Sequence, residues 1–125
     1  GREDGIEVGD KVSTTYGGAL GLISEVQERE AKVLLYTSSG MEIEAYLDRG
    51  DLPIKLLGQG GGAFISDLPR EAEVVVGDKI FLPGIDTELV AVVEDVLMEP
   101  TDSKKTLSLS GVINVSSIRF VEIWK

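Results

Sequence analysis

The chain has 125 residues, the length of a single domain, and carries a net charge of −10 from 12 basic and 22 acidic residues. Apolar residues make up 42% of it, no apolar run is long enough for a membrane helix, and histidine and cysteine are both absent. This composition excludes disulfides, thiolate nucleophiles, Ser-His relays and nearly all zinc or copper sites. The negative charge argues against nucleic acid as a partner, and we expect no cofactor and no metal.

Short β-branched and aromatic runs between turn residues predict an all-β chain. The clearest strand covers residues 41–47, where strict alternation puts the apolar side chains on one face and Glu42, Glu44 and Tyr46 on the other. The remaining predicted strands are residues 33–37, 54–57, 74–76, 89–93 and 118–124. Residues 24–35 could instead form a helix, but their apolar spacing fits a period of 3.6 residues poorly.

An internal repeat is the most informative pattern in the sequence. Val-Gly-Asp-Lys-Val at 8–12 returns as Val-Gly-Asp-Lys-Ile at 76–80, and the strand-like residues 21–26 are echoed by 91–96. The offsets are 68 and 70 residues, so two features keep their order and nearly their spacing. Glycine tolerates a positive φ and aspartate bonds to its own backbone, so we predict equivalent tight turns at Gly9-Asp10 and Gly77-Asp78.

This repeat predicts two small six-stranded β-barrels packed together. We place the first barrel at residues 1–67 and the second at 68–125. Units of this size are marginally stable alone, so we expect the two to interlock as one compact unit.

The glycine-rich residues 58–63 formally match the dinucleotide fingerprint G-x-G-x-x-A. The helix that would hold a pyrophosphate is missing, because only five residues separate Ala63 from Pro69. We therefore interpret this segment as a flexible loop between half-barrels.

Acidic residues offer a second alternative function, as an acidic ligand-binding barrel or a hydrolase that uses surface carboxylates. The few aromatic residues do not favour a sugar-binding cleft, and no calcium-loop spacing is present. Lys11 and Lys79 could carry a prosthetic group, but neither lies at the tip of a symmetric hairpin. We interpret Glu42, Glu44, Tyr46 and Asp48 as a solvated interaction face, with no catalytic residues.

The order of these segments resembles the MreC family of bacterial rod shape-determining proteins. The resemblance to its first barrel lies in residues 4–12, 18–26 and 31–37, and the entry into its second barrel is similar to Leu68-Pro69 and 74–80. Residues 118–123 resemble the last strand of the family, so the likeness covers nearly the whole chain.

The resemblance implies a non-enzymatic scaffold of the cell-wall elongation machinery. It also implies an extracytoplasmic location, with anchoring by an N-terminal membrane helix and coiled coil that lie outside this sequence. The partners it implies are a class B penicillin-binding protein, MreD and, through the membrane segment, the MreB cytoskeleton. Self-association of the barrels is expected as well.

Overall fold

Ten β-strands and one short 3₁₀ turn form the regular structure in the described part of this computed structural model. It describes residues 5–14, 18–84 and 87–111, together with the backbone of 121–124. The strands are β1 (Lys11–Thr14), β2 (Ala19–Val26), β3 (Ala31–Leu35), β4 (Glu42–Leu47), β5 (Leu52–Gly60), β6 (Ala63–Pro69), β7 (Lys79–Leu82), β8 (Glu88–Leu97), β9 (Lys104–Gly111) and β10 (Val121–Trp124). The 3₁₀ turn is Arg49–Asp51.

Six of the strands close into an antiparallel barrel in the order β4-β5-β6-β9-β8-β7. The barrel is closed between β4 and β7, where Tyr46 pairs with Phe81 and Leu47 with Ile80. Alternation along the strands directs the apolar side chains inward, except at Val90, where the β7–β8 register shifts. The core includes residues that are at most 1% exposed: Leu47, Leu56, Phe64, Ile80, Val90, Ala91, Val93, Leu107 and Leu109. Burial of each large side chain contributes about 1.5–3 kcal/mol.

The other four strands form a separate sheet in the order β10-β1-β2-β3. Val12 on β1 and Ile23 on β2 are each 1% exposed and form the apolar centre of this sheet. The strand β3 lies at its edge, where Val33 and Leu34 remain more than a third exposed.

The sheet and the barrel share part of their core. Ala19 and Tyr36 come from the sheet side of the chain but pack into the apolar cluster that fills the barrel, and each is 6% exposed. Burial, and secondarily the charge of Glu88, raises the pKa of Tyr36 to about 12. A parallel bridge between Gly18 and Leu89 joins the two parts again.

The glycine-rich segment is the hairpin between β5 and β6, and its interpretation as a loop between half-barrels is wrong. Gly60, Gly61 and Gly62 all have positive φ, which lets the chain reverse over so few residues. Gly58 has a different role, because a Cβ there would lie 2.1 Å from the Ser38 carbonyl oxygen. The segment after Tyr36 therefore packs directly on the backbone of β5.

The predicted strands agree with the structure for residues 33–35, 54–57, 89–93 and 42–47, and residues 24–35 form strands around a turn and no helix. The prediction of a strand at 74–76 is wrong. There, Val75 donates its N–H to the Asp78 carboxylate and accepts the Asp78 N–H, so these residues enter a turn. Of the last predicted strand, 118–124, residues 118–120 lie outside the described residues.

The described residues show one closed barrel and one open sheet. Two of its strands, β4 and β5, precede the predicted boundary, three strands follow it, and β6 spans it. A second closed barrel, the internal repeat and the division at residues 67 and 68 stay predictions. The all-β fold class is confirmed.

We expect Gly58→Ala to lower the free energy of unfolding by about 1–3 kcal/mol, because the added methyl group must displace the backbone of Ser38. Urea denaturation measures the change. Ser39→Ala at an exposed neighbouring position is the control and should leave the midpoint almost unchanged. Equal midpoints for both variants would show that the segment shifts away from β5 at no cost.

Candidate functional site

The predicted interaction face lies on the outer side of β4. Glu42 and Glu44 are exposed and Tyr46 is half-buried, while Ala45 and Leu47 point into the barrel and are buried. The strand thus presents two carboxylates and one aromatic ring on its outer side.

An aromatic pair extends this face onto β7. Tyr46 stacks on Phe81, with ring centroids 6.0 Å apart and an interplanar angle of 29°. Glu44 lies opposite Lys55 of β5 in the strand register. The outer face therefore combines acidic side chains at the start of β4 with an aromatic patch near its end.

Asp48 lies away from the acidic end of this face. It follows the last residue of β4, is exposed, and donates its N–H to the Lys79 carbonyl at 3.1 Å. Glu42 is six residues earlier, which is about 20 Å along a strand. The structure therefore groups Glu42 with Glu44 and places Asp48 in the turn at the other end of the barrel.

Among the described residues, the first half of β4 has no neighbouring strand on the side away from β5. Pro53 has no N–H, so its pair with Tyr46 lacks hydrogen bonds, and the backbone groups of Glu42, Glu44 and Tyr46 point away from β5. Only Tyr46 and Leu47 find partners on β7. Within the described ranges, no strand pairs with Glu42 or Glu44 on this side. An unpaired strand edge is a template for an added strand.

The two predicted turns have matching hydrogen bonds. Gly9 and Gly77 both have φ of +93°, and each donates its N–H to a strand carbonyl at 2.8 Å, that of Ile23 or Val93. Asp10 and Asp78 each accept from a backbone N–H three residues earlier at 2.9 Å. The carbonyls of the two aspartates accept the N–H groups of Ile23 and Val93, both at 2.9 Å.

Arg49 distinguishes the second turn from the first. Its guanidinium donates two hydrogen bonds of 2.9 Å to the Asp78 carboxylate. These bonds hold the pKa of Asp78 below its ordinary value, against the opposing effect of partial burial. Sequence reasoning missed Arg49 and also Phe81, because both act through partners that are distant along the chain.

A cleft of about 410 Å³ lies at the end of the barrel where β6 leads towards β7. It is lined by Arg49, Glu71, Ala72, Glu73, Val74, Val75 and Lys105. Its glutamates are exposed, whereas the general acid of a hydrolase is usually held in an apolar cleft. No group of three or more acidic side chains suited to a metal occurs in the described part of the chain. None of its helices has the length and apolarity that a membrane crossing requires.

Comparison with protein families gives a match along residues 1–125 to the family described as rod shape-determining protein MreC, barrel core. The chain belongs to the MreC family. A comparison with curated protein sequences finds no match.

Solved structures show the same fold. The crystal structure of MreC from Pseudomonas aeruginosa aligns with a TM-score of 0.88 and 23% identity, covering 100% of this chain and 84% of that one. A second structure, named MreC, aligns with a TM-score of 0.88 and 22% identity, covering 100% of this chain and 74% of that one. The major periplasmic domain of the cell shape-determining filament MreC aligns with a TM-score of 0.68 and 17% identity, covering 98% of this chain and 80% of that one.

Replacing either Gly9 or Gly77 by valine should destabilise the fold by about 1–2 kcal/mol, because a β-branched residue is strained at a positive φ. The space around both Cβ positions is open, so the backbone conformation is the cause. Thermal or urea unfolding of each variant tests this. Unchanged stability in both would show that neither turn requires its glycine.

The Arg49–Asp78 pair should make stability depend on pH. A lowered carboxyl pKa in the folded state stabilises the fold above the ordinary value near 4, and this contribution disappears as pH falls through the lowered value. We expect Arg49→Gln to reduce the loss of stability between about pH 6 and pH 3. Urea midpoints measure it, and Arg29→Gln, which removes the same charge elsewhere, should keep the wild-type dependence.

Proposed function

We propose that this domain is a non-enzymatic scaffold of the cell-wall elongation machinery that maintains rod shape by binding other proteins. Membership of the MreC family over the whole sequence is the observation that carries the proposal. The structure supports it in one respect. The barrel interior is filled with side chains, so contacts with partners fall on its outer faces and open edges.

The proposed location is the outer side of the cytoplasmic membrane, with an N-terminal helix as the anchor. Support comes from a similar structure whose description is a periplasmic domain. The proposed partners are a class B penicillin-binding protein, MreD and, indirectly, the MreB cytoskeleton. Self-association is also proposed. Its support is that the protein with this similar periplasmic domain is described as a filament.

The outer face of β4 is the proposed contact surface. Its exposed Glu42 and Glu44 repel other acidic chains, while the open backbone edge beside them can accept a strand of complementary charge. The stacked rings of Tyr46 and Phe81 add an aromatic anchor next to this edge. The hydrolase alternative finds no support here, because Glu42 and Glu44 lie on a convex face.

The four-stranded sheet and the strands around β7 and β8 are proposed to be related by an internal repeat, as counterparts of the two barrels that the sequence predicts. The register supports this in two places. Between β2 and β3 it shifts at Ile23, and between β8 and β9 at Val93, the residues that bond to the two equivalent turns. Between β1 and β2 it shifts after Val12, and between β7 and β8 after Ile80.

Titration against the extracytoplasmic domain of the cognate class B penicillin-binding protein tests the scaffold function. We expect weak binding that high salt reduces and that Glu42→Lys combined with Glu44→Lys weakens by about tenfold. Calorimetry or interferometry at low and high salt gives the affinities.

The control variant combines Glu28→Lys with Glu30→Lys, which changes the net charge equally in the exposed turn after β2. Equal losses in the two double variants, or binding that ignores salt, would reject the β4 face. The absence of binding at high micromolar concentration would count against the scaffold function itself.

A further inference from the structure

The contact between β4 and β7, which we call the seam, is the shortest ladder of the closed barrel. It has two registered pairs, Tyr46 with Phe81 and Leu47 with Ile80. The hairpins on either side of it, β4–β5 and β7–β8, have six and four registered pairs. Fewer backbone bonds therefore hold the seam than hold either hairpin, so the barrel separates at the seam more readily than within them.

An ion pair spans the seam beyond its last registered pair. Arg49 lies in the turn that follows β4, and Asp78 is the residue before β7. The guanidinium donates two hydrogen bonds of 2.9 Å to the Asp78 carboxylate, and the charge of Glu73 attracts it as well. Because a bidentate pair has a specific geometry, it ties the end of β4 to the start of β7.

The ladder between β10 and β1 shows that the arginine is not needed for the turn itself. β1 also follows a Gly-Asp turn, and the carboxylate of its Asp10 accepts a backbone N–H as that of Asp78 does. Among the described residues, no lysine or arginine binds Asp10. The β10–β1 ladder has four registered pairs. The ion pair thus accompanies the turn that precedes the shorter ladder, as expected of a bond that supports the seam.

We propose that the seam opens and closes while the rest of the barrel stays folded, and that the Arg49–Asp78 pair is the latch that keeps it closed. In the open state the hairpins β4–β5 and β7–β8 keep their own ladders and separate from each other. Opening exposes Leu47 and Ile80, which are fully buried in the closed state, so the open state is a minor one. It also uncovers two strand edges with which another chain can pair. The proposal concerns the fold and does not depend on the scaffold function.

Amide hydrogen exchange followed by NMR tests the seam, because alternate residues of β4 bond to different neighbours. The Asp48 N–H bonds to the Lys79 carbonyl across the seam, and the Tyr46 N–H also points away from β5. The N–H groups of Ala45 and Leu47 point towards β5. We expect the Tyr46 and Asp48 amides to be protected at least about tenfold less than those of Ala45 and Leu47, with a weaker urea dependence.

Three variants separate the latch from general stability. Arg49→Gln removes a bond that is lost both in seam opening and in complete unfolding, so both sets of amides should exchange about three- to tenfold faster. Gly58→Ala weakens a contact at the other end of the barrel, which the open state retains, so it should speed exchange at Ala45 and Leu47 alone. Arg29→Gln, which removes the same charge from an exposed turn, should change neither set.

Three outcomes would overturn the proposal: unchanged exchange of Tyr46 and Asp48 in Arg49→Gln, equal acceleration of both sets in Gly58→Ala, or one urea dependence shared by both sets. If Gly58→Ala does not fold, Ser66→Ala takes its place, since it removes the 2.7 Å bond from β6 to the Lys55 carbonyl of β5. Circular dichroism and melting establish that each variant is folded.

Discussion

Closure of the barrel depends on the pairing of β4 with β7. The register between them includes only Tyr46 with Phe81 and Leu47 with Ile80, extended by the hydrogen bond from Asp48 to Lys79. Leu47 and Ile80 are fully buried on its inner side, and the Tyr46 and Phe81 rings stack on its outer side. This short contact closes the six-stranded sheet into a barrel. Among the described residues, the first half of β4 has no partner on β7.

The same contact determines what lies at each end of the barrel. Beyond Leu47 the chain turns through Arg49, whose guanidinium binds Asp78, the residue before β7. This bond links the end of β4 to the start of β7. At the opposite end, Gly58 lets residues 37 and 38 lie directly on β5, which places Tyr36 in the barrel core. The sheet is therefore attached through packing at one end, while the segment that contains Ala72 and Val74 covers the other.

Local signals account for the parts of the fold that could be predicted from the sequence. Alternation at residues 41–47 identifies β4 and its inner face, and the Gly-Asp pairs identify turns in which each aspartate carboxylate accepts from an N–H three residues earlier. Residues 74–76 have the same β-branched character but form no strand, since their partner is the carboxylate of Asp78 and not another strand. The sequence pattern does not indicate which distant segment of the chain lies beside a given run of residues.

The candidate site likewise has features that the sequence predicts and features that depend on distant contacts. The outward position of Glu42 and Glu44 follows from period-two geometry alone. The unpaired edge beside them cannot be predicted from this geometry, because it depends on how far β7 extends along β4 among the described residues. Phe81 and Arg49 become relevant only after barrel closure places them beside Tyr46 and Asp78, and the contact at Gly58 likewise requires the position of Ser38 in space.

The pairing of β1 with β10 has a consequence for the order of assembly. Lys11 lies opposite Trp124, so nearly the whole length of the chain separates the two strands of one ladder. All six barrel strands are contained within residues 42–111 and precede β10 along the chain. Since distant contacts form late and slowly, the barrel can condense first and serve as the template on which the sheet is completed.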